Sequence, residues 1–168
     1  MSQSTKMNTA LKKYVIKPLL DNGFTGDFPH YRKIYDNRIE LFTIQKNKWG
    51  NSFTIEISTV YPNRTGEDTN LTNEQANFDE VCVWEANKRY RLPGMFDGWF
   101  YYTDVYVKRM PRLGKVYLDV SEKKKQEIHP EKAGYKQIQV ADDSIYERIC
   151  CEVNNQMKKA YKWWKKMA

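Results

Sequence analysis

The chain contains no apolar run approaching the roughly eighteen residues that a membrane-spanning helix needs, and its first twenty residues lack the apolar segment of a secretory signal. Neither a membrane partner nor export is expected. The two sequons, Asn63-Arg64-Thr65 and Asn70-Leu71-Thr72, therefore read as accidental. Cysteine is scarce. Cys82 stands alone and Cys150 adjoins Cys151, with no C-x-x-C and no Cys–His spacing suited to zinc. An odd count with a vicinal pair is not a disulfide framework, so reduced thiols and a cytoplasmic location are expected. The only histidines are His30 and His129, and neither has a cysteine or carboxylate at ligand spacing. G-x-S-x-G, H-E-x-x-H, Walker A and G-x-G-x-x-G patterns are all missing. No catalytic residue, metal or cofactor is therefore assigned.

What the chain does have is enough apolar and aromatic material to fold. At 168 residues it fits one domain, and a chain of that length buries about 70% of the surface it exposes when unfolded. Hydrophobic residues make up 40% and aromatics 14%, too much for a disordered chain despite a mean hydropathy of −0.81. The polarity comes from charge. The net +7 is unevenly spread: residues 61–87 carry −5, while 88–118 and 156–168 carry +5 each. A basic excess favours acidic partners, nucleic acid among them.

Helical spacing of Met7, Ala10, Leu11, Tyr14, Val15 and Leu19 predicts a first helix starting near Ser4 or Thr5. Pro18 should end or kink it, and Asp21-Asn22-Gly23 should stop it. A meander follows: strands over 30–35, 38–46 and 53–61, separated by turns at 36–37 and 47–50. In the third strand Phe53, Ile55, Ile57, Thr59 and Tyr61 face one way, and Thr54, Glu56, Ser58 and Val60 form a polar reverse side. Residues 62–80 read as a polar, acidic loop. Strands are expected over 99–107, 115–120 and 135–140. The last helix is capped by Asp142, Asp143 and Ser144, and its apolar stripe is Ile145, Ile149, Val153, Met157, Ala160, Tyr161 and Trp164. The fold expected is α+β: one domain over 1–168, an antiparallel meander packed by an N-terminal and a C-terminal helix.

The candidate site is basic and aromatic. Lys48 and Trp49 lie at one hairpin beside Gln45, Arg89 and Arg91 flank Tyr90, and Trp99 and Tyr101 follow. Arginine with exposed aromatics can anchor a protein partner or stack on bases. The competing reading is a core with a solvated rim, because alternating aromatics in strands usually fill cores. No RNP, KH or zinc-finger pattern organises the cations for nucleic acid.

Two stretches carry a resemblance. One runs from Leu41 to Ile55, a strand–turn–strand centred on Gln45, Trp49-Gly50 and Phe53; the other is Arg91-Leu92-Pro93 with Trp99 downstream. With Lys17-Pro18-Leu19-Leu20 leading to Gly23-Phe24, they are similar to a bacterial family, domain of unknown function 4304. The resemblance covers most of residues 8–107. Pro93 stands where the family pattern has Gly, Ser58 where it often does, and 62–80 reads as an insertion. The resemblance implies no activity. Genes for similar small domains often lie near toxin systems, which implies an immunity-like role by association. The function expected is therefore non-catalytic binding of another protein, in the form of toxin neutralisation. The alternatives are nucleic-acid binding through the basic–aromatic surface, and an enzyme built on Gln45, Glu56 and Arg91. The sequence leaves the oligomeric state open.

Overall fold

A computed structural model describes residues 1–61, 81–86, 88–125 and 127–168; the expected acidic loop lies outside the described residues. The chain opens with α1 (Gln3–Leu11), capped by the Ser2 hydroxyl, which accepts from Thr5 N–H at 3.2 Å. A π-helical turn over Lys12–Ile16 joins it to α2 (Lys17–Asp21). Pro18 explains the turn. It has no N–H to donate to the Tyr14 carbonyl, and the freed carbonyl accepts from Asn154 Nδ2 at 2.9 Å instead. Gly23, at φ +88°, ends the helix in the left-handed conformation.

The larger sheet is antiparallel. Its strands are β1 (Thr25–Asp27), β2 (His30–Ile34), β3 (Ile39–Lys46), β4 (Ser52–Val60), β5 (Arg89–Arg91) and β6 (Phe100–Tyr101). Strands β1 to β5 lie in chain order, and β6 pairs with β4 beyond the end of β5. The meander is the expected one, with β1 and β5 added. Register puts Phe42, Ile44, Phe53, Ile55 and Ile57 on one face. Against it pack α1, α2 and α3 (Ile145–Met167), whose Ile145, Ile149, Val153, Met157, Ala160 and Trp164 are buried. Tyr161 lies at the margin of that stripe and is partly exposed.

The reverse face differs from the polar side expected. Thr54, Ser58 and Val60 are fully buried there. Val81, Val83 and Ala86 cross that face and form a small second core with Ile39, Leu41 and Val60. The strand expected over 99–107 is also two strands. β6 ends at Tyr101, the chain passes through buried Tyr102 and Thr103, and β7 (Asp104–Met110) begins a separate sheet with β8 (Gly114–Val120) and β9 (Lys136–Gln139), in the order β8-β7-β9. Gln139 ties the sheets together: its side-chain amide nitrogen, Nε2, donates to the carbonyls of Tyr101 and Thr103 at 2.8 and 2.7 Å.

Candidate binding face

β5 is short, but its alternation is informative. Tyr90 turns toward the helices and stacks on Trp163, while Arg89 and Arg91 turn to the reverse face. Arg91 pairs across the ladder with Glu56, and its Nε donates to Glu56 Oε1 at 3.0 Å. Arg89 Nη1 lies 3.7 Å from the other carboxylate oxygen. One half-buried carboxylate thus holds two exposed guanidinium groups. Arg91 is also fixed from a third side, 5.5 Å from the centroid of the Trp99 ring.

The segment carrying Trp99 is held tightly. Leu92, fully buried, donates its N–H to the Ile55 carbonyl at 2.9 Å. Gly94 takes φ +71°, and a Cβ there would lie 2.5 Å from backbone atoms of Gly98 and Trp99, so only glycine fits. Gln156 of α3 grips Gly94 at both ends: Gly94 N–H donates to Oε1 at 3.0 Å and Nε2 donates to the Gly94 carbonyl at 2.8 Å. Helix α3 therefore sets the position of the loop that orients Trp99.

Beside the arginines the face is polar. Gln45 is exposed and pairs with Thr54, whose buried hydroxyl has no hydrogen-bond partner. Thr43 bonds His30 Nδ1 at 3.0 Å, and His30 meets Trp84 edge-on with ring centroids 4.9 Å apart. Burial, and then the nearby Arg32 charge, lower the His30 pKa from its ordinary value. Trp84 remains 45% exposed. Tyr101 shares this face by its pairing with Ser52 but is half-buried; burial first, then Asp119, Asp97 and Tyr117, push its phenol up to about 12.

The expected site residues divide accordingly. Gln45, Arg89, Arg91, Trp99 and Tyr101 come to one face of the large sheet. Lys48 and Trp49 instead cap the β3–β4 hairpin, where the ammonium lies 4.8 Å from the Trp49 ring centroid and the ring is 73% exposed. Sequence reasoning left out His30 and Trp84 as members of the face. It also missed the role of Glu56 as the hub of the arginines, although Arg-Tyr-Arg facing a strand glutamate was a readable cross-strand complement. Among the described residues no group of three His, Cys, Asp or Glu side chains could hold a metal ion. No helix among them is long and apolar enough to cross a membrane.

These elements define an α+β protein with a partly covered antiparallel sheet whose remaining face is lined by arginine, tryptophan and amide groups. Residues 15–166 match the family model described as Domain of unknown function (DUF4304), and the chain belongs to that family. No curated protein and no solved structure matches the chain.

Proposed function

We propose that the chain is a non-catalytic protein-binding domain that presents the Arg89–Glu56–Arg91 face to a partner protein. The observation that supports this most is the fixing of Arg91 between Glu56 and Trp99 on an otherwise exposed rim. A side chain already ordered loses little freedom on binding, and Arg and Trp are the residue types most often responsible for interface affinity. Two arginines against one glutamate suit a partner surface that is acidic or rich in free carbonyls. The form of binding we favour is neutralisation of a toxin, with the stiff face covering the partner's active site. Three cysteines outside any disulfide suit the reducing cytoplasm as its setting.

The same ion pairs weigh against nucleic acid at this face, because Glu56 offsets one of the two guanidinium charges and its carboxylate would stand close to any phosphate bound there. They weigh against an enzyme too, because both oxygens of the Glu56 carboxylate already face arginine side chains. The test is capture of partners from the source cells by the immobilised chain, quantified for wild type, Arg91→Ala and Trp84→Ala, followed by titration of the partner found. A protein lost with both substitutions supports the reading. A set of captured proteins unchanged by either removes it.

A further inference from the structure

The β7–β8 hairpin takes no part in that face and has its own chemistry. Its turn is Met110-Pro111-Arg112-Leu113, and every residue from Pro111 to Lys115 is exposed, Leu113 by 71%. The turn curls around a depression of about 440 Å³ with an almost wholly apolar lining. Residues 108–115 carry four cations and no anion. Lys108 is occupied, donating to the Ala133 carbonyl at 2.7 Å. The other three, Arg109, Arg112 and Lys115, form no ion pair among the described residues.

Arg109 stands directly opposite Lys115 in the ladder. Like charges placed there destabilise an antiparallel pair, so the arrangement calls for an anion from outside. Lys136 on β9 pairs with Val107 and so extends the cationic row across a third strand on the same face. The base of the arm is firm: Asp104 accepts from Ala141 N–H at 2.7 Å and pairs with Lys125 at 2.8 Å, beside the Gln139 clamp.

A ribbon with cations along its face and an apolar tip fits two kinds of polyanionic surface. The side chains that anchor at the headgroup level of a bilayer are Trp and Tyr, and residues 110–114 contain neither. Proline, leucine and methionine are, by contrast, side chains that wedge between base steps from the minor groove while cations hold the flanking phosphates. We infer that the β7–β8 hairpin is a second binding site, for duplex DNA, in which Arg109, Arg112, Lys115 and Lys136 contact phosphates and Pro111 and Leu113 press on the bases without sequence selectivity. This site is independent of the protein-binding face.

The test is fluorescence anisotropy of the full chain with a labelled 30-base-pair duplex of mixed sequence, over a salt series. Four phosphate contacts predict a log–log salt slope of about −3.6, and Arg109→Gln, Arg112→Gln and Lys115→Gln should each make it shallower by about one. Leu113→Ser should weaken binding at every salt concentration and leave the slope alone. Arg91→Ala should change nothing, which separates this site from the protein-binding face. All these positions are exposed, and thermal melts would confirm intact folding. Absence of binding at low salt, a slope unaltered by the triple substitution, or binding to phosphatidylserine vesicles as tight as to the duplex would each overturn the inference.

Discussion

Glu56 is the residue on which the binding face turns, and its energetics separate stability from function. Its two arginine partners are more than 40% exposed, and ion pairs at such positions contribute about 0–1 kcal/mol. Glu56→Gln should therefore lower stability by less than about 1 kcal/mol in a denaturant melt, yet release Arg91 and weaken partner binding. Adjacent Cys150 and Cys151 offer a second contrast. Cys151 is exposed, whereas Cys150 is buried in the helix–sheet core and its thiol is pushed up to about 12, by burial first and then by Cys151 and Glu147. The reactive species is the thiolate. Brief alkylation near neutral pH, read by peptide mass spectrometry, should label Cys151 well ahead of Cys150; equal labelling would contradict the packing of α3. Cys150 adjoins Ile149 of the apolar helical stripe, so its burial was open to reading from the sequence. The burial of Glu40 was not. That acid lies on the helix-covered face, where the Tyr35 hydroxyl donates to it at 3.1 Å and Arg38 at 3.3 Å, and neither donor follows from strand alternation.

At the scale of elements, what could be read depended on length. β3 and β4 run eight and nine residues between clear turns, so period two was visible and the register followed. β1 and β5 have three residues each, too few to show a period, and they exist because a neighbouring strand offers an open edge. The 99–107 segment read as one strand because aromatic and β-branched residues run through it without a Gly or Pro; the change of sheet at Tyr102–Thr103 depends on distant partners. Helix α3 was legible in its span and most of its stripe, but not in its cap or at exposed Tyr161. Ser144 makes no side-chain capping bond, and its N–H donates to Asp142 at 2.9 Å instead. The helix has the largest mechanical role. Val153 is completely buried beneath it, so Val153→Asp should cost several kcal/mol and lower the melting temperature sharply, having placed an unpaired charge in the core. Gln156→Leu tests the grip on Gly94. It leaves a backbone N–H and C=O without their partners, and about 1–3 kcal/mol should be lost for such groups. Because that loop orients Trp99, partner binding should fall along with stability, whereas Asn154→Ala, which frees only the Tyr14 carbonyl at a half-exposed site, should affect stability alone.

The molecule as a whole carries net charge +7, yet its buried titratable groups make alkali rather than acid the informative stress. The Cys150 thiol rises from an ordinary 9.0 to about 12 and the Tyr101 phenol from 10.0 to about 12. Burial shifts Tyr31, Tyr102 and Tyr161 upward as well. Each of these groups keeps its proton in the folded chain at a pH where the unfolded chain has released it. The unfolded state then binds fewer protons, so stability falls as pH rises. For Cys150 and Tyr101 the contribution is complete below the unfolded values, near 9.0 and 10.0, and is lost progressively until the folded values of about 12. One such group gives a slope of at most about 1.4 kcal/mol per pH unit, less for half-exposed Tyr101. Lys46 works in the opposite direction, since burial holds its ammonium pKa low, but it is one lysine against seven raised thiols and phenols, Cys82 and Tyr106 among them. Stability measured by urea denaturation should accordingly be level near pH 8, begin to decline above pH 9 and decline faster above pH 10. Cys150→Ala removes the larger part of the first phase. Whatever the cavity costs at pH 8, the variant should decline less steeply than the wild type between pH 9 and 10, the remainder there coming from Cys82, whose thiol burial also raises, and its curve should steepen when the tyrosines begin to ionise. A variant that declines in parallel with the wild type through that interval would mean that the Cys150 thiol ionises as readily in the folded chain as in the unfolded one, and that the helix–sheet core around it admits water.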